Sequence, residues 1–290
     1  MFKNLNKKKI KPNRVVIFGS GGFIGKNLKD FLENENIDVI GISTKDIDLV
    51  KRDSVFQIKD LIKENDNIVF LSALTPDKGK DLNTYKKNIE MINNLISGIY
   101  EKKLNHFLYF SSDAVYSFDN ALITEKTPIN PSDYYSLMHI TRELIIKNEV
   151  KCPLLLLRPT AVFGFGDTHN SYGPNRFIKN AIFEKKIILG GEGEETRDHI
   201  FINDLINLTV LCILYKSSGI LNAASGFSIS FMELAKLVKE NLPDVEIKTS
   251  KRNNPITYRS FDIDCLNSNL ALPFSKIDDC IKQYITKLVN

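Results

Sequence analysis

Gly19-Ser20-Gly21-Gly22-Phe23-Ile24-Gly25 follows a short apolar run, Val15 to Phe18, and opens an amphipathic segment from Phe23 to about Leu32. The run reads as a strand and the segment as a helix, so the glycines occupy a βα turn. Glycine has no Cβ. Gly19 is therefore free to turn tightly, Gly22 lets the backbone approach a bound group, and Gly25 lets the helix pack closely on its strand. A helix starting here points free N–H groups and the positive end of its dipole at whatever binds in front of it, a setting suited to phosphate. The spacing and its context predict a dinucleotide site built on Gly19, Ser20, Gly22, Phe23, Ile24 and Gly25.

Outward from that turn, β-like runs recur at Val15–Phe18, Asp38–Ile42, Asn67–Ser72, His106–Ser111 and Leu154–Arg158, with helix-like segments between them. Such alternation predicts an α/β fold with a doubly wound parallel sheet. Three of the runs end in small or polar residues, at Gly19, Ser72-Ala73 and Ser111-Ser112, which the topology gathers along the carboxyl edge where open sheets bind ligands. After Gly164 the pattern becomes irregular and rich in Gly, Asn and charge. We read residues 14–165 as the cofactor domain, with a return segment near 199–222. Residues 166–198 and 223–290 form a smaller C-terminal α/β lobe for the substrate.

The chain has 290 residues, 43% of them hydrophobic, enough for a sizeable core. Cys152, Cys212, Cys265 and Cys280 are too scattered for a zinc pattern and read as reduced thiols of a cytoplasmic protein. No apolar run reaches the ~18 residues of a membrane span. Much of the net charge of +4 lies in Lys3, Lys7, Lys8, Lys9 and Lys11, so residues 1–13 read as a disordered basic tail with no nucleic-acid or membrane role. His169, in Gly166-Asp167-Thr168-His169-Asn170, has no second histidine at ligand spacing, and no metal is expected.

Two further segments carry chemistry. Leu108 to Tyr116 ends a strand in hydroxyls, and Tyr134-Tyr135-Ser136-Leu137-Met138-His139 opens a helix on which Tyr135 and His139 share a face. A tyrosine beside a hydroxyl-bearing strand end is placed to pass a proton while a nicotinamide passes a hydride.

With these segments in order, the sequence resembles the extended short-chain dehydrogenase/reductases of the NAD-dependent epimerase/dehydratase family, which modify nucleotide sugars in the manner of UDP-glucose 4-epimerase. The resemblance runs from Val15 to about Leu288. It rests on the glycine turn, the Asn88 helix, the segment Ser111-Ser112-Asp113-Ala114-Val115-Tyr116, the Tyr135 helix with Glu143, Arg158-Pro159-Thr160, and the segment from Arg197. It implies a Rossmann domain with a small sugar-nucleotide lobe, bound NAD or NADP, a nucleotide-sugar substrate and a homodimer. Ser112 resembles the hydroxyl that bonds the sugar C4 oxygen, and Tyr135 the acid/base. Asp48 and Leu49 match the segment that contacts adenine, Ala73 and Thr75 the place where a strand end meets cofactor and sugar, and Asn88, Pro159 and Thr160 further cofactor contacts. Asn175 and Arg197 match the nucleotide and diphosphate site, with Arg176 and Arg259 as additional contacts and Asp113 as either a substrate contact or a turn cap.

Two departures stand out. His139 replaces the lysine that the family uses to hold the nicotinamide ribose and to lower the tyrosine pKa. The resemblance then implies a ribose hydrogen bond from a mostly neutral imidazole, with the nicotinamide itself as the main positive charge near Tyr135. Ser43-Thr44-Lys45 stands where an acid binds the adenosine ribose in NAD-preferring members. A 2′-phosphate is tolerated there, which admits NADP, whereas Asp46, just beyond, is able to take over the acid's role, so both NAD and NADP stay open. The expected activity is nucleotide-sugar epimerisation by transient C4 redox chemistry. The alternative is an NADPH-dependent reductase of 4-keto-6-deoxy sugars. Ala114, at a position where dehydratases carry glutamate, argues against elimination, and a catalytically silent dinucleotide sensor is the reading from another class.

Overall fold

The fold is described from a computed structural model, which covers residues 1–117, 122–167, 173–253 and 255–289. His169 lies outside the described residues.

Val-Val-Ile-Phe at 15–18 is buried along its whole length, as a central parallel strand must be. The N-terminal half alternates strand and helix throughout: β1 Lys3–Asn4, β2 Val15–Phe18, α1 Phe23–Asn34, β3 Val39–Ile42, α2 Ser54–Leu61, β4 Asn67–Phe70, α3 Leu82–Ile99 and β5 His106–Phe110. A 3-10 turn at Asp113–Val115 precedes β6 Leu122–Ile123, α4 Tyr134–Glu149, β7 Leu154–Pro159 and β8 Ala161–Phe163. The remainder is α5 Gly173–Glu184, β9 Lys186–Gly190, β10 Thr196–Phe201, α6 Ile202–Leu214, β11 Ser217–Ala223, β12 Ser228–Ser230, α7 Phe231–Asn241, β13 Glu246–Ser250, β14 Ser260–Phe261, α8 Asp264–Asn269 and α9 Ile277–Val289.

Seven strands form the main sheet in the order β1-β11-β7-β5-β4-β2-β3, parallel except for β1. Strand alternation divides the core in two. Val15, Ile17, Val69, Leu108 and Leu155 face α1 and α6, whereas Val16, Phe18, Ile68, Phe107 and Leu156 face α2, α3 and α4. That is a doubly wound Rossmann-type sheet, as the pattern of runs predicts.

Two features differ from the sequence reading. The first is the N-terminal tail. Lys3 and Asn4 pair with Ser218 and Ser217, and Phe2 is buried in the main core. Asn6 and Ile10 donate backbone hydrogen bonds to Tyr215 and Leu214. The edge of β11 offers unpaired backbone groups and Phe2 offers apolar area, while the lysines stay in solvent. The second is the C-terminal part. Its small sheets, β12-β10-β8, β13-β9 and β14-β6, pack with α5, α7 and α9. Phe177, Ile178, Leu234, Val238, Ile281 and Tyr284 continue the same apolar cluster that holds α1 and α6, so the lobe shares a core with the main sheet.

Candidate active site

Every parallel strand of the main sheet from β2 to β7 delivers its carboxyl end to one edge, and the site is assembled there. At β2, Gly19 adopts a φ of +97° and donates to the Ile42 carbonyl. A Cβ on Gly19 would lie 2.8 Å from the Ser72 nitrogen, and one on Gly25 would lie 2.2 Å from the Gly19 oxygen. Both glycines are therefore demanded by the fold itself. Gly22 is different: a Cβ there meets no protein atom closer than 3.5 Å. Gly22 is also the N-cap of α1, which has no side-chain cap and no acid in its first turn. The start of α1 is therefore open to an anion, and the turn fits a dinucleotide phosphate. Phe23 and Gly25 are buried, Ile24 packs against the core, and Ser20 sits beside Gly41.

After β3, the Ser43 backbone N–H and hydroxyl both donate to the Asp46 carboxylate, at 2.8 and 2.7 Å. These bonds hold Asp46 below the usual carboxylate range. Thr44 and Lys45 are exposed, and Asp48 accepts from the Val50 nitrogen. An acid is thus present at this strand end, three residues beyond Ser43. Gly21 faces it, since a Cβ at Gly21 would touch the Ser43 Cβ at 3.4 Å.

The loop after β4, which carries Ala73 and Thr75, is clamped from behind. Asn88 accepts from the Leu74 nitrogen and donates to the Leu74 oxygen, so its side chain fixes the loop rather than reaching past it. Other expected contacts are also turned inward. Leu49 is buried in the core, Pro159 ends β7 in the interior, and Thr160 donates to Asp198. Asn175 bridges Gly164 and Asp167. These five residues shape the site's walls, because sequence position alone does not say which way a side chain points.

At β5 the chain ends in Ser111 and Ser112. The Ser112 hydroxyl accepts from the Ala114 nitrogen, so Ser112, not Asp113, caps the following turn. Opposite, Asp133 and Ser136 form a capping box at the start of α4, fixing the entry angle of the helix and so the place of Tyr135. Burial pushes the Tyr135 phenol up to about 12, and the neighbouring Ser112 hydroxyl acts in the opposite direction. His139 sits edge-on to Tyr135, ring centroids 4.7 Å apart. Its Nδ1 is 2.7 Å from the Tyr109 hydroxyl, and its Nε2 is buried with no partner among the described residues. Burial, aided by the nearby Arg142, drives the His139 pKa down to about 3, so the ring is neutral. An orphaned ring nitrogen beside Tyr135 fits a ribose hydroxyl.

A side-chain cation also lies near Tyr135, in addition to the nicotinamide that the sequence reading took as the main positive charge there. Arg142, one turn beyond His139 on the same helix face, is fully buried next to Tyr109, Tyr135 and His139. Sequence reasoning passed over it, although a charged residue seven positions after Tyr135 returns to the same helix face.

On the substrate side, Arg259 is buried, donates to the Asp113 carbonyl at 2.8 Å and lies 3.7 Å from its carboxylate. Arg197 is half-buried and donates to the Thr257 oxygen, and Arg176 is exposed. Burial raises the Asp113 carboxyl, against the pull of Arg259 and Arg197. Behind the site, Arg158 donates to both oxygens of Glu143 and to Tyr116, while Ser111 donates to Glu143. That network joins the ends of β5, α4 and β7. Among the described residues no group of His, Cys, Asp and Glu is arranged to hold a metal, and no helix is long and apolar enough to cross a membrane.

Residues 15–224 match the model of the NAD dependent epimerase/dehydratase family. The dTDP-D-glucose 4,6-dehydratase of Dictyostelium discoideum is 23% identical over 282 residues, covering 80% of this chain and 63% of that protein. The ADP-L-glycero-D-manno-heptose-6-epimerase of Brachyspira hyodysenteriae is 26% identical over 93% of this chain and 96% of its own length. Among solved structures, a GDP-L-fucose synthetase from Naegleria fowleri superposes with a TM-score of 0.84 at 17% identity, covering 99% of this chain and 97% of that one, which shows a shared fold.

Proposed function

Because this chain belongs to the NAD-dependent epimerase/dehydratase family, whose members are enzymes of nucleotide-sugar metabolism that use NAD(P), we propose that it is a nucleotide-sugar epimerase acting at C4. The observation that carries this reading is Tyr135, on α4, placed beside the Ser112 hydroxyl at the end of β5 and edge-on to His139. When bound, a nicotinamide cofactor would accept the hydride from the sugar carbon and return it. The chain's own residues manage the proton: Ser112 orients the sugar hydroxyl, and Tyr135 takes its proton and later returns it. Gly22 and the uncapped start of α1 would hold the pyrophosphate of the cofactor, and the buried Nε2 of His139 would be the partner for its ribose. Arg197 and Arg176 bind the diphosphate of the substrate. Arg259 acts by holding Asp113.

Elimination chemistry is disfavoured by Ala114, which brings no acid to the turn where Asp113 is tied to Arg259. The reductase reading draws on Ser43 and Lys45, but the Asp46 carboxylate at the same strand end would repel a 2′-phosphate and supports NAD. We further place the protein in the cytoplasm as a homodimer joined through α3 and α4, on which Leu82, Tyr134 and Leu144 are exposed.

The test is mass spectrometry of small molecules released when freshly purified protein is denatured, followed by incubation with UDP-, dTDP-, GDP- and ADP-sugars. Retained NAD and an equilibrium mixture of C4 epimers are expected. Tight NADPH binding to cofactor-free protein, with net reduction of a 4-keto sugar, would overturn the epimerase reading.

A further inference from the structure

Among the described residues four arginines are buried, and three of them face a carboxylate: Arg14 faces Asp66, Arg158 faces Glu143 and Arg259 faces Asp113. Arg142 is the exception. Its guanidinium donates to the Asn88 carbonyl at 3.0 and 2.6 Å, to the Ser72 carbonyl at 2.7 Å and to the Asn88 Oδ1 at 3.1 Å, and it lies over the Phe70 ring at 5.0 Å. All of these partners are neutral, and no carboxylate pairs with Arg142 among the described residues. A fully buried cation without a counter-ion is costly to keep. The same low-dielectric surroundings that make it costly also extend its field to the neighbouring phenols.

We propose that Arg142, held by the Ser72 and Asn88 carbonyls on the face of α4 that bears His139 and Tyr135, is a positioning residue for the reaction, the fixed buried charge that stabilises the Tyr135 phenolate. The inference rests on the reading of Tyr135 as the acid/base. Guanidinium suits the task because it does not lose its proton at any pH at which the enzyme works. Its clamp on the Ser72 and Asn88 carbonyls holds the charge at a fixed place on α4, one turn behind His139. The groups acting on Tyr135 are few. Arg142 and Ser112 favour its ionised form, whereas Asp113, from the turn after β5, and Asp133, at the helix cap, oppose it. Tyr109 lies between Arg142 and His139 and is held protonated by burial. Glu143, the next residue of α4, is neutralised by Arg158.

The test replaces Tyr135 with 3,5-difluorotyrosine in the full chain without added cofactor and follows its ionisation by fluorine NMR, since the fluorinated phenol titrates well below tyrosine. In Arg142→Met the acid constant is expected to fall about tenfold or more, one pKa unit, with most of the loss recovered in Arg142→Lys. Asn88→Asp, which brings a carboxylate to the guanidinium without emptying the site, is expected to shift the titration in the same direction. It serves as the reading if Arg142→Met does not fold. An unchanged midpoint in the folded variants would overturn the proposal and leave Arg142 a structural pin for the loop after β4. Activity surviving in Tyr135→Phe would instead sink the assignment of Tyr135, an outcome separate from the titration.

Discussion

Arg158 grips Glu143 through two parallel hydrogen bonds, Nε to Oε1 at 2.8 Å and Nη2 to Oε2 at 2.6 Å, with both side chains 2% exposed. The bond to Arg158 holds the Glu143 carboxyl below its usual range, against the opposing effect of burial. Removing one member of a buried pair strands the other's charge. Glu143→Ala is therefore expected to destabilise the protein by about 3–5 kcal/mol, measured by urea unfolding. The double variant Glu143→Leu/Arg158→Met should lose much less, and equal losses would show that the pair's charge is not what matters.

Gly25 and Gly22 are expected to separate folding from binding. A methyl at Gly25 would collide with the Gly19 carbonyl, so Gly25→Ala should lower stability by about 1–3 kcal/mol. Gly22→Ala meets no such obstacle and should unfold at a temperature close to that of the parent, yet bind NAD weakly by calorimetry. Normal NAD affinity in Gly22→Ala would show that the pyrophosphate does not approach there.

Asp46 should decide which dinucleotide is accepted. Asp46→Asn removes the exposed charge beside Ser43 while keeping an acceptor, and the ratio of NADP to NAD affinity is expected to rise several-fold. A ratio unmoved by this change, yet moved by Lys45→Ala, would place discrimination on the cation.

Three buried histidines make stability pH-dependent. His106 is held to about 4 and His139 and His199 to about 3, chiefly by burial. Each stays neutral in the folded chain but takes up a proton near pH 6.5 when unfolded. Stability is therefore complete above about pH 6.5 and falls as pH drops below it, by up to about 1.4 kcal/mol per pH unit for each ring. His199 packs between Phe163 and Phe231 with neither ring nitrogen bonded among the described residues, so His199→Phe keeps the packing and should flatten the slope of urea midpoint between pH 7 and 5. An unchanged slope would count against this account.

Much of the fold is readable from local pattern. Val15–Phe18 as a strand, the helix opening at Phe23, and the runs at 39–42, 67–70, 106–110 and 154–159 follow from apolar stretches bounded by glycine and polar residues. Ser112, Tyr135 and His139 are readable as a group because α4 places positions four apart on one face and β5 ends in hydroxyls. The ordering of residues 2–10 is not readable locally. Phe2 gains its place from a core and a strand edge more than 200 residues away in the chain.

The sequence by itself determined the parallel sheet, the glycine turn and the order of hydroxyl, tyrosine and histidine, because these depend on short-range periodicity and on the absence of a Cβ. Only the tertiary structure decided how the charges around them are compensated. Asn88 and Asn175 turn inward, Arg259 engages Asp113, and Arg142 lies buried near Tyr135 with no carboxylate partner among the described residues. Burial and pairing of a side chain are set by contacts between distant segments, and those contacts fix the ionisation on which the chemistry turns.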